Sequence, residues 1–160
     1  MPKIELKLSN RSIGNAVKAV QKYQAWVSLK EKELRSRLAM MGATVASIRF
    51  ARAIYTGSND VTVRVDDTGS TAVIYAEGEA VAFIEFGAGI TYGYGHPQAG
   101  EFGVGPGTYP DGKGHWDNPK GWWFGSSQHT YGNPPAMAMY DAVQEIAKNV
   151  TEIAREVFRS

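Results

Sequence analysis

From Gly87 to Asn133 the chain shows neither the two-residue nor the 3.6-residue apolar period that marks strands and helices. The segment holds most of the 18 glycines and four of the seven prolines. It also carries three histidines (His96, His115, His129) and the aromatic side chains Trp116, Trp122, Trp123, Phe124 and Tyr131. Structureless loops beyond about 15 residues are uncommon in compact domains and are usually functional or disordered. Disorder goes with few aromatic residues, so this stretch is expected to order against something. Any core must then be built by the two flanks, which constrains the fold to what residues 1–86 and 134–160 can form together.

The first flank begins with Ile4, Leu6 and Leu8 alternating with Lys3, Glu5 and Lys7, a short half-buried strand over residues 3–8. Ser9 or Asn10 supplies a side-chain oxygen able to cap a helix. Ile13, Val17 and Val20 follow at helical spacing, and a second, longer helix is expected from about Trp26 to Thr56 with the stripe Leu34, Leu38, Met41, Val45 and Ile48. Glu31–Arg35 and Glu33–Arg37 are carboxylate-first pairs four residues apart that support an exposed helical face. The period then changes. Val61, Val63 and Val65 alternate with Thr62, Arg64 and Asp66, and turns at Asp67–Gly69 and Glu77–Glu79 divide residues 61–86 into a β-meander, whose last segment, Ala80–Phe86, is either a strand or a short helix. The second flank is a helix over residues 134–158, capped by Asn133 and entered through Pro134 and Pro135. Ala136, Met139, Val143, Ile146, Val150, Ile153 and Val157 lie on its apolar face. The whole predicts one α+β domain over residues 1–160: a small antiparallel sheet, a long N-terminal helix, a C-terminal helix, and an irregular loop over 87–133.

The chain has no cysteine, which rules out disulfides and thiolate ligands. A net charge of +1 gives no strong attraction to nucleic acid or acidic lipid, so neither sequence-specific nucleic acid nor membrane is expected as a partner. MPKIELKLSN has no apolar run of secretory-signal type, and no later run is long enough to span a bilayer.

The spacings of the three histidines, with Asp111 and Asp117, fit no zinc pattern, and no cofactor is expected. Gly103 to Gly107 lacks the lysine and hydroxyl that end a phosphate loop, and Ser126 and Ser127 lack a nucleophile-elbow setting. Glu85, between Ile84 and Phe86, is either an acid–base group or a carboxylate engaged by backbone or arginine, within the chain or across a subunit boundary. A hydrolase centred on Glu85 and His96 is the least favoured reading. Trp116, Trp122, Trp123 and Phe124 suit a protein contact, or a stacking platform for a glycan or single strand. Glu85, Trp116, Trp122, Trp123, Phe124 and Tyr131 are therefore the candidate subunit-interface residues, with no catalytic or metal residue assigned.

The order of these segments carries a resemblance. VTVRV leads to AVAFIEFGAGITY, a loop with HP, GTYP and GWWF follows, and the chain ends in TYGNPPAMAMYDAVQEI. This resembles the tail-completion, or head–tail joining, family of siphophages and prophages of Gram-positive bacteria, whose members are described as tail component or minor capsid proteins. The likeness covers nearly the whole chain and is most specific over Phe83–Gly87 and Gly132–Tyr140. It implies a non-enzymatic virion structural protein of the neck, assembled in the host cytoplasm into an oligomeric ring between head connector and tail. Isolated subunits of such rings can stay monomeric until assembly. The alternative is a glycan- or ligand-binding module using the Trp-rich loop.

Overall fold

Between Asn10 and Ala51 there is no proline, and the two glycines cost only about 1 kcal/mol each relative to alanine in a helix. The backbone accordingly runs as one unbroken 42-residue helix, α1 (Asn10–Ala51), about 63 Å long at 1.5 Å per residue. Two helices with a break before Trp26 were expected; nothing in Gln24–Ser28 interrupts the hydrogen-bond ladder, so they are one, and it stops at Ala51 instead of Thr56. The computed structural model describes residues 10–89, 95–103, 120–124 and 127–159. The strand expected over residues 3–8 lies outside these.

After α1 the Asn59 side-chain amide donates to the Phe50 carbonyl, 2.9 Å away, and so satisfies an open acceptor of the helix end. β1 (Thr62–Asp66) and β2 (Val73–Glu77) then pair as an antiparallel hairpin, with Arg64 opposite Tyr75. Arg35 fastens the hairpin turn to α1. Its Nε meets Asp67 at 2.8 Å, and its two terminal nitrogens donate to the Ser70 and Gly69 carbonyls.

The last segment of the expected meander, open between strand and short helix, is the short helix α2 (Val81–Phe86), so the sheet there has two strands and not three. Its start is organised by Asp60, whose carboxylate accepts from the Glu79 and Ala80 amides at 2.7 and 3.0 Å. These bonds hold the Asp60 carboxyl below its ordinary range. A run such as Val81–Phe86 is apolar on most sides and cannot distinguish strand from buried helix by period alone. The side-chain oxygens offered to the preceding turn settle it here.

Residues 87–133 are not wholly irregular. They contain a one-turn helix, α3 (Ala99–Phe102), and a second hairpin, β3 (Trp122–Phe124) with β4 (Gln128–Thr130). The chain closes with α4 (Ala138–Arg159), which lies antiparallel along α1. Arg49 pairs with Asp141 at 2.6 Å, Arg37 with Glu156 at 3.5 Å, and Trp26 meets the last-turn Phe158 edge-on at 5.8 Å. Gly42 makes the contact close: a methyl group there would sit 2.6 Å from Ile146 and 2.7 Å from Ile74. The core forms where α1, α2 and α4 meet, from Ala46, Phe50, Ala80, Ile84, Ala138 and Ala142. Two two-stranded sheets with these helices make an α+β fold. No helix among the described residues is long and apolar enough to cross a membrane.

Candidate functional site

The segments on either side of the long loop dock onto one another. The last turn of α2 leaves carbonyls without helical partners, and the strand-like lead into α4 supplies donors to them. Ala136 N–H donates to the Ile84 carbonyl at 2.8 Å and Met137 N–H to the Glu85 carbonyl at 3.2 Å. Ala88 and Asn133 exchange both backbone bonds at 2.9 Å, and the Asn133 amide donates to the Phe83 carbonyl at 2.8 Å. Such close backbone approach requires Gly87 and Gly132. Both have positive φ (78° and 102°), and a Cβ on Gly132 would run into the Ala88 carbonyl oxygen.

Glu85 closes this clasp. Its carboxylate accepts from Met139 N–H at 3.0 Å and Tyr140 N–H at 3.0 Å, the free amides of the first turn of α4. The N-terminal cap therefore comes from a residue more than fifty positions upstream, not from Asn133 as the sequence suggested. Asn133 is spent on Phe83 and Ala88. Met137, just before α4, takes a positive φ of 53° to make the turn, a conformation costing roughly 1–2 kcal/mol outside glycine.

His96 completes the group. Its Nε2 lies 3.2 Å from Glu85 Oε1, and its Nδ1 accepts from Gln98 N–H at 3.0 Å. With Nδ1 an acceptor, Nε2 carries the proton and donates to the carboxylate. Every partner of Glu85 is thus a donor, the arrangement an ionised carboxylate serves. Phe86 covers the imidazole at 4.5 Å and Tyr140 meets it edge-on at 5.4 Å. Glu85 is 4% and His96 5% exposed, so the pair is sealed and both imidazole nitrogens are engaged inside the protein. It ties residues 95–103 of the loop to the start of α4, and Glu85 is the carboxylate engaged by backbone amides within the chain that the sequence offered as one of its readings.

The second feature is the β3–β4 hairpin. Side chains alternate across a strand, and the register sets Trp122 opposite Thr130 and Trp123 opposite His129. Thr130 is buried, and its hydroxyl meets the Thr56 hydroxyl at 3.1 Å and accepts from Gly132 N–H at 3.1 Å. That face, with half-buried Trp122, is turned to the body. The other face presents Trp123, 62% exposed, then His129, then Tyr131, 53% exposed. Their rings meet edge-to-face at 5.0 and 4.9 Å, the spacing at which aromatic pairs attract.

Of the expected interface residues, Trp123 and Tyr131 come together in this row and Trp122 lies behind it. Phe124 pairs through its backbone with Gln128, and Trp116 falls outside the described residues. His129, the middle of the row, stands among three loop histidines that fit no zinc spacing and suit surface or interface positions. Its place follows from the register across a three-residue strand, which no local pattern reveals. His96 and His129 serve separate features.

Compared with known proteins, the chain matches no family model, no curated sequence and no solved structure.

Proposed function

We propose that this chain is a non-enzymatic structural subunit of a phage neck, joining head connector to tail, with the Trp123–His129–Tyr131 row as a contact to a neighbouring protein. The observation that carries the proposal is the row itself: two exposed rings, Trp123 and Tyr131, brace the half-buried His129 between them on a hairpin whose far face is anchored through Thr130 to the body. Rigid aromatic side chains of this kind give large contact area at small entropic cost and dominate protein interfaces. The resemblance to head–tail joining proteins adds the setting, since Phe83–Gly87 and Gly132–Tyr140, its most specific segments, are the two halves of the clasp. The site of action is the virion neck, after assembly in the host cytoplasm. Glu85 and His96 have a structural role in this proposal.

A glycan-binding module is the second reading, favoured by the exposure of Trp123 alone. Phage lacking the gene, complemented with W123A/Y131A, separates the two. Loss of a contact anchor costs about 2 kcal/mol, roughly thirtyfold in affinity, so head–tail joining and phage yield are expected to fall with folding intact. Normal yield together with lost binding on a glycan array would overturn the neck proposal.

A further inference from the structure

β1 pairs with β2 along one edge, and among the described residues nothing pairs with the other. An open edge presents backbone N–H and C=O groups to any extended chain that fits beside it. Side chains alternate along a strand, so the two faces of this edge differ. Val65, Val63 and the preceding Val61 stand on the body side, where Val61 and Val63 pack against the core. Thr62, Arg64 and Asp66 stand on the outer side. Arg64 gives its Nε to Glu77 at 3.1 Å, and its terminal nitrogens have no partner among the described residues. Asp66 accepts from the Thr68 hydroxyl at 2.8 Å but meets no cation there. Beside the edge lies a cleft of about 270 Å³, lined by Ser47, Phe50 and Ala51 of α1 and by Asn59, Val61 and Val63. No residue of β2 lines it, so it opens on the unpaired side of β1.

The strand expected over residues 3–8 lies outside the described residues, and its sequence states what it requires. Ile4, Leu6 and Leu8 need an apolar surface, and Lys3, Glu5 and Lys7 alternate with them. We infer that residues 3–8 of one copy add to the open edge of β1 in a second copy, antiparallel, with Glu5 opposite Arg64.

Reach excludes the chain's own hairpin. α1 is unbroken from Asn10. Arg35, which holds the hairpin turn, lies about 37 Å along the axis from Asn10, and Phe50 in the cleft about 60 Å. Residues 3–9 fully extended span at most ~25 Å. A strand there can meet such an edge only on another molecule. Charge then selects the edge and its register. Antiparallel pairing sets Lys3 opposite Asp66 and Glu5 opposite Arg64, where opposite charges attract across strands, and Lys7 opposite neutral Thr62. The same register lays Ile4, Leu6 and Leu8 over Val65, Val63 and Val61, which brings both leucines to the cleft. Parallel pairing about the same Glu5–Arg64 contact would set Leu8 against Asp67. The outer side of β2 offers Val73, Tyr75 and Glu77, a single charge for three. Strand addition draws affinity from main-chain hydrogen bonds and specificity from alternate side chains. A copy that gives one strand and receives another makes a head-to-tail contact, which closes into a ring when the rotation permits. The inference names a subunit contact for the neck proposal, but it stands on the edge, the cleft and the reach of residues 3–9.

The absence of cysteine makes the pairing directly testable. Full-length L6C/V63C, oxidised, is expected to give linked dimers and larger species, while L6C and V63C alone give none. Light scattering should show association of the wild-type chain. E5R and R64E should each weaken it about three- to tenfold, and E5R/R64E together should restore it, with unchanged far-UV circular dichroism and Tm. If R64E loosens the hairpin at Glu77, K3D, D66K and their combination give the same reciprocal test without touching Arg64. A wild type that stays monomeric at every accessible concentration, with no L6C/V63C linkage, would overturn the inference. Linkage by L6C alone, which marks pairing of two N-terminal strands, would overturn it too, as would combined charge swaps no better than the single ones. Linked oligomers from a protein absent from purified virions would remove the neck proposal and leave this contact standing.

Discussion

Glu85→Gln isolates the clasp, because it keeps the shape of the side chain while removing its charge and one acceptor. In the native protein the two carboxylate oxygens serve Met139 N–H, Tyr140 N–H and His96 Nε2–H. An amide offers one oxygen and one NH₂ group to three donors. With its oxygen in the place of Oε1 the amide still lies within reach of all three donors, but its NH₂ confronts Met139 N–H. Turned the other way it leaves Tyr140 N–H and His96 Nε2–H without an acceptor, at about 1–3 kcal/mol for each buried group. Replacing charged by neutral acceptors weakens the surviving bonds, and the interaction with the positive end of α4 goes with the charge, about 0.3–2 kcal/mol. Relief of the desolvation of a buried carboxylate offsets part of this. A net loss of about 2–4 kcal/mol is expected, corresponding to roughly 5–15 °C in Tm for a domain of this size. Urea unfolding followed by circular dichroism measures it, read as a shift in midpoint at constant slope. Stability within about 0.5 kcal/mol of wild type would refute the reasoning, since three buried donors cannot lose an ionised acceptor without cost. A loss of that size confined to binding, with folding unaffected, would refute it equally.

Two further perturbations test how the clasp is positioned. Gly132→Ala places a Cβ against the Ala88 carbonyl at a φ of 102° and should destabilise by at least about 2 kcal/mol; Gly14→Ala, in open space on α1, should stabilise by up to about 1 kcal/mol in the same urea assay. Asp60 gives a pH test. Its folded-state pKa lies below the ordinary 3.8 because of the Glu79 and Ala80 amides. The stability it contributes is therefore present above about pH 3.8 and lost as pH falls through the lower folded value. Asp60→Asn removes that contribution, so wild type should be the more stable at pH 6 and the difference should shrink below pH 3.8. A difference that persists unchanged at the lowest pH where the protein still folds would show that the carboxylate charge is not what holds the start of α2.

What could be read from the sequence is what depends on local period. The stripe of α4 and the alternation of Val61–Val65 each repeat over enough residues to identify themselves; the strand appears where expected, while the helix starts at Ala138, four residues after the expected Pro134, because Met137 takes a positive φ. The apolar stripe Ile13, Val17, Val20 and the later one from Leu34 suggest two helices, yet a gap between stripes does not break a backbone ladder. Ala80–Phe86 fits a strand or a short helix because so few residues show no period, and the turn that leads into α2 is held by Asp60, about twenty residues earlier. Proximity in the chain points to Asn133 as the N-terminal cap of α4. The group that does the work, Glu85, is separated from its amide partners by 54 and 55 residues.

That separation explains why recognisable sequence surrounds the loop while the loop itself follows no pattern. Ala88 and Asn133 are fixed to each other, and Glu85 is fixed to α4, so the chain between them leaves and returns at one place. The entropy of closing such a loop grows only slowly with its length, and its contents are therefore free of the geometric demands placed on its ends. Gly87, Gly132 and Glu85 answer those demands: two positions of close backbone approach and one buried acceptor. Within the loop, His96 and Thr130 reach back to the body, each through a buried polar contact. Trp123 and Tyr131 are the exposed members of the hairpin, on the face opposite Thr130. The same division holds at the other end of the molecule, where the half of α1 beside α4 builds the core and the half beyond it presents Val17 to solvent. Under the proposed function, substitutions at Trp123 should weaken association without melting the protein, whereas those at Glu85 or Gly132 should melt it first.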